Sequence, residues 1–380
     1  MSSTSEGSPW SATRRTIRRT MGRLLDTETD AVVATVVNVE GSGYRRPGAR
    51  MVINSDGERQ GAVTAGCLED AVADTATKTA SDGTPRLSSY DLRDGDDDVW
   101  GLGLGCNGVI DVFVEPLDAS FRAPLEGIRA KRPVTVLTAT ASSDPSIEVG
   151  DRTVRGRESA PTGERERLPE RVVTAVADEL ADADRGVAAT VTIDTADGEV
   201  CVFANELLPI PELVLFGGQE DVNPIASLAA RAGFRVRVVT ARGEHADPER
   251  FPAASEVRSA RPPDLADHLS APEYSYVVLM SHNFLDDRLA FESVLQTDVP
   301  YIGLMGPRKR FQEIRESMDR TLTPRDAGRV AAPSGLDLGG DGPSAIGFSI
   351  VSEVLAVHND RDGGRLVERD GPIHERPEIA

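Results

Sequence analysis

LFGGQEDVNPIASLAARAG, residues 215–233, is the stretch whose reading decides the fold. A short apolar run ends in Gly217 and Gly218, after which small and apolar residues recur with helical spacing until Gly233. Asn223 stands where a cap is wanted, and Pro224 where a helix opens with its φ already set. A glycine turn between a strand and a helix lets an anion approach backbone amides at the positive end of the helix dipole. The strict G-x-G-x-x-G spacing fails here, because Gln219 and Glu220 follow the glycine pair. The next apolar run, 235–240, ends in Thr240 where an Asp or Glu would meet a ribose hydroxyl. A Rossmann-like, doubly wound domain is therefore predicted, with a bound nucleotide left open.

The alternation continues outward. Strands are expected at 212–216, 235–240, 275–281 and 301–305, and helices at 224–232, 286–295, 309–319 and 343–358, with a loop over 335–342. Gly306-Pro307-Arg308-Lys309-Arg310 follows a strand and opens a helix, a second place where backbone amides and cations suit a phosphate or carboxylate. His282 ends a predicted strand, where open α/β sheets bind ligands. The five histidines show no HxxxH-type spacing, so a structural zinc site is not expected.

Residues 1–206 read as a β-rich α+β domain, and 207–380 as the Rossmann-like one, with the linker at 207–211. In the first half a helix is expected near 13–27 and a buried strand at 31–39, where AVVATVVNV is rich in β-branched residues. Further strands are expected at 50–54, 86–92, 108–117, 134–140, 187–194 and 199–206. The segment 61–80 is expected to run as a strand through Gly66 into a helix near Cys67. A cysteine at a helix start can be reactive or ligate a soft metal, and Glu69 falls in the first turn beside it. Cys106 lies in the glycine-rich GLGLGCNG, whose backbone amides suit an anionic ligand. Cys201, mid-strand beside Val202 and Phe203, reads as core. The acidic loop 94–98 and the polar stretch 141–170 read as surface excursions without chemistry.

Acidic residues outnumber basic ones 62 to 42 and give a formal charge of -20. Such a surface repels phosphate backbones and anionic lipid, so neither nucleic acid nor membrane is an expected partner. Lysine occurs three times, and this arginine-dominated, acid-rich balance suggests a halophilic, high-salt cytoplasm. Three cysteines without a CxxC point to a reducing compartment, and the early arginine pairs lack the apolar run that an export signal needs.

Taken in order, these segments resemble the XdhC/CoxI family of xanthine dehydrogenase accessory factors. The resemblance rests on VVATVVNVEGSGYRRPGARMVI (32–53), GAVTAGCLE (61–69), LGLGCNG (102–108), LVLFGGQEDVNPIASLAARAGFRVRVVTAR (213–242), MSHNFLDD (280–287), VPYIGLMGPRKR (299–310) and GLDLGGDGPSAIGFSIVSEVLAV (335–357). It implies a cytosolic chaperone that transiently binds molybdenum cofactor (molybdopterin). Such a chaperone assists the cofactor's sulfuration and insertion into a xanthine dehydrogenase or carbon monoxide dehydrogenase-type hydroxylase. A cysteine desulfurase and a second copy of the chain are the further partners it implies. Carried over residue by residue, the site would comprise Gly66, Cys67, Glu69 and Cys106 in the first half, with Cys67 as a candidate molybdenum ligand. In the second half it would comprise Gly217, Gly218, His282, Asp286, Gly306 and Arg308. The chain departs from the family at Gln219-Glu220, at Thr240 and at Pro307, which weakens the case for a nucleotide. An NAD(P)-dependent oxidoreductase is the alternative from a different class, since Rossmann-like folds commonly serve hydride transfer.

Overall fold

The computed structural model describes residues 8–93, 108–156, 168–370 and 373. The chain divides into two compact units, with the boundary between Pro209 and Ile210.

The first unit carries two antiparallel sheets. Helix α1 (Arg14–Asp26) precedes strands β1 (Ala31–Gly41), β2 (Arg50–Asn54) and β3 (Arg59–Gly61). Helix α2 (Glu69–Asp82), β4 (Arg86–Asp91), β5 (Gly108–Pro116) and α3 (Arg122–Arg129) follow. Then come β6 (Val134–Ser142), β7 (Arg152–Gly156), α4 (Glu170–Glu179), β8 (Ala188–Asp194) and β9 (Glu199–Leu207). The sheet orders are β3-β2-β1-β5-β4 and β7-β6-β9-β8.

Strand alternation assigns the faces. Val32, Ala34 and Val36 of β1 join Leu68, Val72 and Ala76 on the α2 side, while Val33 joins Met21 of α1 and Leu125 of α3 on the other. Helix α4 covers the second sheet through Val172, Val173 and Val176.

Three expectations for this half fail. No strand passes through Gly66: β3 ends at Gly61, residues 62–68 are irregular, and α2 opens at Glu69, two residues after Cys67. The Glu69 carboxylate supplies the hydrogen bonds that a ladder would otherwise have given this segment. Nor is 141–170 uniformly a surface excursion, because β7 pairs with β6 and Asp144, Asp151 and Arg152 are buried. Their polar groups find partners far off in sequence, Thr195 and Arg171 for Asp144 and Glu115 for Arg152, so a polar composition does not leave them at the surface. Cys201 is half-buried on β9, its Sγ 3.7 Å from the Thr192 hydroxyl, rather than core.

The second unit is a Rossmann-like, doubly wound α/β domain. Its order is β10 (Glu212–Phe216), α5 (Val222–Arg231), β11 (Arg235–Thr240), β12 (Glu256–Ser259), β13 (Ser275–Leu279), α6 (Phe284–Val294) and β14 (Tyr301–Leu304). It closes with α7 (Arg308–Glu316), α8 (Pro324–Gly328), β15 (Val330–Ala331) and α9 (Pro343–His358). All six strands are parallel, ordered β12-β11-β10-β13-β14-β15. Leu213 and Leu215 of β10 pack on the face of α5 and α9, and Val214 and Phe216 on that of α6 and α7. Both faces being covered explains the uninterrupted apolar strands. The strand order reverses between β10 and β13, and ligands of such sheets bind outside the carboxyl ends at that reversal.

The start of α5 differs from its expectation. The cap position is Asp221, and Asn223 and Pro224 lie inside the first turn.

Candidate functional site

At the carboxyl end of β10 the two glycines are required by close approach. A Cβ on Gly217 would stand 2.8 Å from the Met280 carbonyl oxygen, and one on Gly218 would stand 2.9 Å from both His245 Nδ1 and Thr240 Oγ1. Any larger residue would push β10 away from the ends of β13 and β11. Thr240 is buried, and its hydroxyl turns the chain by accepting from the Arg242 amide at 3.1 Å and donating to the Arg242 carbonyl at 3.2 Å. It is thereby engaged within its own turn.

The turn that follows carries side-chain oxygens that lack donors. Asp221 Oδ2 lies 2.8 Å from His282 Nε2, and His282 takes a left-handed φ of 59° just after β13. Asp221 Oδ1 and Asn223 Oδ1 are buried without a donor, and Glu220 is paired with Arg250 at 3.2 Å. Two unmatched acceptors favour a hydroxyl, amine or cationic group over a pyrophosphate, which would add more acceptors.

At β13 and α6, Asn283 caps the helix by accepting from the Asp286 amide at 3.0 Å, and Asp286 pairs with Arg242 at 3.5 Å. Asp287, buried, accepts from the Ser281 amide at 3.0 Å, the Ser281 hydroxyl at 2.5 Å and Arg310 at 2.6 Å. Arg310 also lies beneath Gly306, whose φ is 122° and whose Cβ position is 3.0 Å from Arg310 Cδ. The structure thus places Gly217, Gly218, His282 and Asp286 around the strand-order reversal. Arg310, rather than Arg308, ties the Gly306 turn to them, while Arg308 is exposed at the first position of α7. Asp221, Asp287 and Arg310 had no singular place in the sequence reading. In the Asp286-Asp287 pair of MSHNFLDD, only the second acid falls four residues after the cap, where it reaches back to the strand end.

In the first unit, Gly66 has a φ of 115° with open space where a Cβ would be, so its requirement is backbone conformation alone. Glu69 is buried and clamps the loop. It accepts from the Thr64 amide at 2.9 Å, the Thr64 hydroxyl at 2.5 Å and the Leu68 amide at 3.2 Å. A carboxylate with that many short contacts fixes its neighbours, and Glu69 acts on Cys67 by positioning. Cys67 is a free thiol, half-buried, with its inner side against the core beneath α2. Cys106 lies outside the described residues, as does the rest of 101–107. Among the described residues no group of three or more His, Cys, Asp or Glu is placed to hold a metal ion, and no helix is long and apolar enough to cross a membrane.

Comparison with known proteins gives a consistent set of relatives. The XdhC Rossmann domain model matches residues 213–354, and the XdhC and CoxI family model matches residues 24–91. A Bacillus subtilis protein, named as a probable subunit of xanthine dehydrogenase, is 29% identical over 336 residues, covering 87% of this chain and 94% of its own. The molybdenum cofactor insertion chaperone PaoD of Escherichia coli is 32% identical over 123 residues, 32% of this chain and 37% of that relative. A crystal structure described as a xanthine dehydrogenase from Bacillus halodurans superposes with a TM-score of 0.73 at 26% identity, covering 93% of this chain and 98% of the other.

Proposed function

Because the chain belongs to the XdhC and CoxI family, we propose that it is a maturation factor that takes up molybdenum cofactor as cargo and delivers it to a molybdenum hydroxylase. The observation that carries this reading is the Gly66–Cys67 loop, where a half-buried thiol is held in place by a buried carboxylate. A thiolate is a soft ligand suited to molybdenum, and it also accepts and donates sulfur. The same residue therefore serves retention of the cargo and its sulfuration. The client is of the xanthine dehydrogenase or carbon monoxide dehydrogenase type, the binding is transient, and a cysteine desulfurase supplies the sulfur. The compartment is the cytoplasm, and the working unit is a homodimer.

The crevice at the carboxyl ends of the second unit's sheet offers the cargo polar contacts of its own through Gly217, Gly218, His282, Asp286, Gly306 and Arg308. Its unmatched acceptors at Asp221 and Asn223 suit the amino and ring N–H groups of a pterin better than a dinucleotide's phosphates.

The test is co-expression of a molybdenum hydroxylase with and without this chain. The expected result is client protein of unchanged amount whose molybdenum content and turnover depend on the chain. Equal molybdenum content in both cases would contradict a delivery role.

A further inference from the structure

Inside the first unit, between its two sheets, lies a cavity lined by apolar side chains and by Arg18 of α1, Arg50 of β2, Glu115 of β5, Arg152 of β7 and Asn205 of β9. Glu115 is the single carboxylate among the described residues of that lining, and both its oxygens are taken by Arg152, at 2.6 and 2.7 Å. Arg152 also donates to the Ser120 hydroxyl at 2.8 Å and to Thr138 at 3.2 Å, which completes that pair.

With Glu115 bonded to Arg152, the described lining keeps two further positive charges, Arg18 and Arg50, with no carboxylate hydrogen-bonded to either. Arg18 reaches one neutral acceptor, the Leu208 carbonyl, at 2.7 Å. Arg50 has no side-chain acceptor among the described residues, and its Nε is buried. The Asn205 Nδ2 is likewise buried without an acceptor, on a residue 5% exposed. Burial, with the nearby arginine charges, lowers Arg18 to about 9 and Arg50 to about 10. Burying such groups without an acceptor is costly, and a species that only accepts and carries negative charge relieves both deficits.

Size restricts the species. The cavity measures about 20 Å³, which admits one body about the size of a water. A pterin or a phosphate ester does not fit.

We propose that this cavity is a binding site for one compact monovalent anion of chloride size, held by Arg18, Arg50 and the Asn205 amide. The site is independent of the molybdenum cargo. Its occupant joins α1, β2 and β9, and so fastens the helix and the two sheets of this unit to one another.

The experiment is thermal unfolding of the full chain as sodium chloride replaces sodium gluconate at constant ionic strength, so that general screening is unchanged. The expected result is a saturable rise of about 3 °C with chloride, absent in Arg50→Met. Crystals of the full chain soaked in bromide should show an anomalous peak within the cavity, and this reading needs no variant to fold. Equal midpoints in chloride and gluconate, or no bromide peak in the cavity, would overturn the proposal. A larger rise with phosphate than with chloride would overturn the size assignment and with it the site.

Discussion

Cys67→Ser is expected to abolish client activation while leaving the chain folded. The substitution keeps the side chain's size and removes a soft sulfur ligand in favour of a hydroxyl that neither binds molybdenum comparably nor carries sulfur. Client turnover should fall by more than the roughly 10- to 100-fold that loss of an outer-shell partner costs a metal site. The fold should be retained because the loop is held by Glu69, which accepts from Thr64 and Leu68 and does not depend on the thiol. Cys201→Ser is the control, since Cys201 sits on β9 beside Thr192 and away from the loop. Circular dichroism of each variant separates folding from function. Full client activity with folded Cys67→Ser would reduce Cys67 to a packed turn residue.

The second large effect is on stability. Glu115→Leu should lower the stability of the first unit by about 3–5 kcal/mol, the cost of removing one partner from a buried ion pair. The side chains of Glu115 and Arg152 are 4% and 3% exposed, and with the carboxylate gone Arg152 would join Arg18 and Arg50 with no anionic side chain among the described residues of the cavity lining. Urea unfolding reports the effect as a shift of the midpoint, with tryptophan and tyrosine fluorescence as the probe. Glu115→Leu combined with Arg152→Met should recover much of the loss, because a buried pair replaced by apolar side chains of similar volume is often tolerated. A loss below about 1 kcal/mol, in the range of an exposed pair, would show that the pair is not the internal tie described here.

The second unit was legible because its signal is local. The strand, glycine turn and helix of 212–232 follow one another in sequence, and a parallel sheet covered on both faces needs uninterrupted apolar strands. Where local rules misplaced an element, a distant residue decided the outcome. Asn223-Pro224 has the order of a cap and a first helical residue, yet α5 opens at Val222, with Asp221 at the cap position and its carboxylate turned to His282 instead of the helix amides. Gly217 and Gly218 were recognised as a turn. Their actual constraint is the approach of Met280, His245 and Thr240, which no spacing rule contains.

The first unit was harder, since its antiparallel pairings and polar ties are long-range. Composition placed 141–170 at the surface, whereas Arg152 there pairs with a glutamate on β5 and helps line an internal cavity. Arg50 is legible in sequence only as the start of the 50–54 strand, and the burial of its Nε depends on a sheet that forms later in the chain. Cys67 and Glu69 were identified by type and position. The division of labour between them, thiol presented and carboxylate clamping, required the hydrogen-bond geometry.

A maturation factor is tested most directly by the identity of the small molecule that the full chain retains. The protein is purified without oxygen from cells that make molybdenum cofactor, and its released ligands are analysed by mass spectrometry alongside its molybdenum content. Wild type is expected to carry a pterin with molybdenum, and Cys67→Ser neither. A nicotinamide nucleotide in place of the pterin, together with saturable NAD(P)H oxidation, would contradict delivery of a cofactor and make the chain an oxidoreductase.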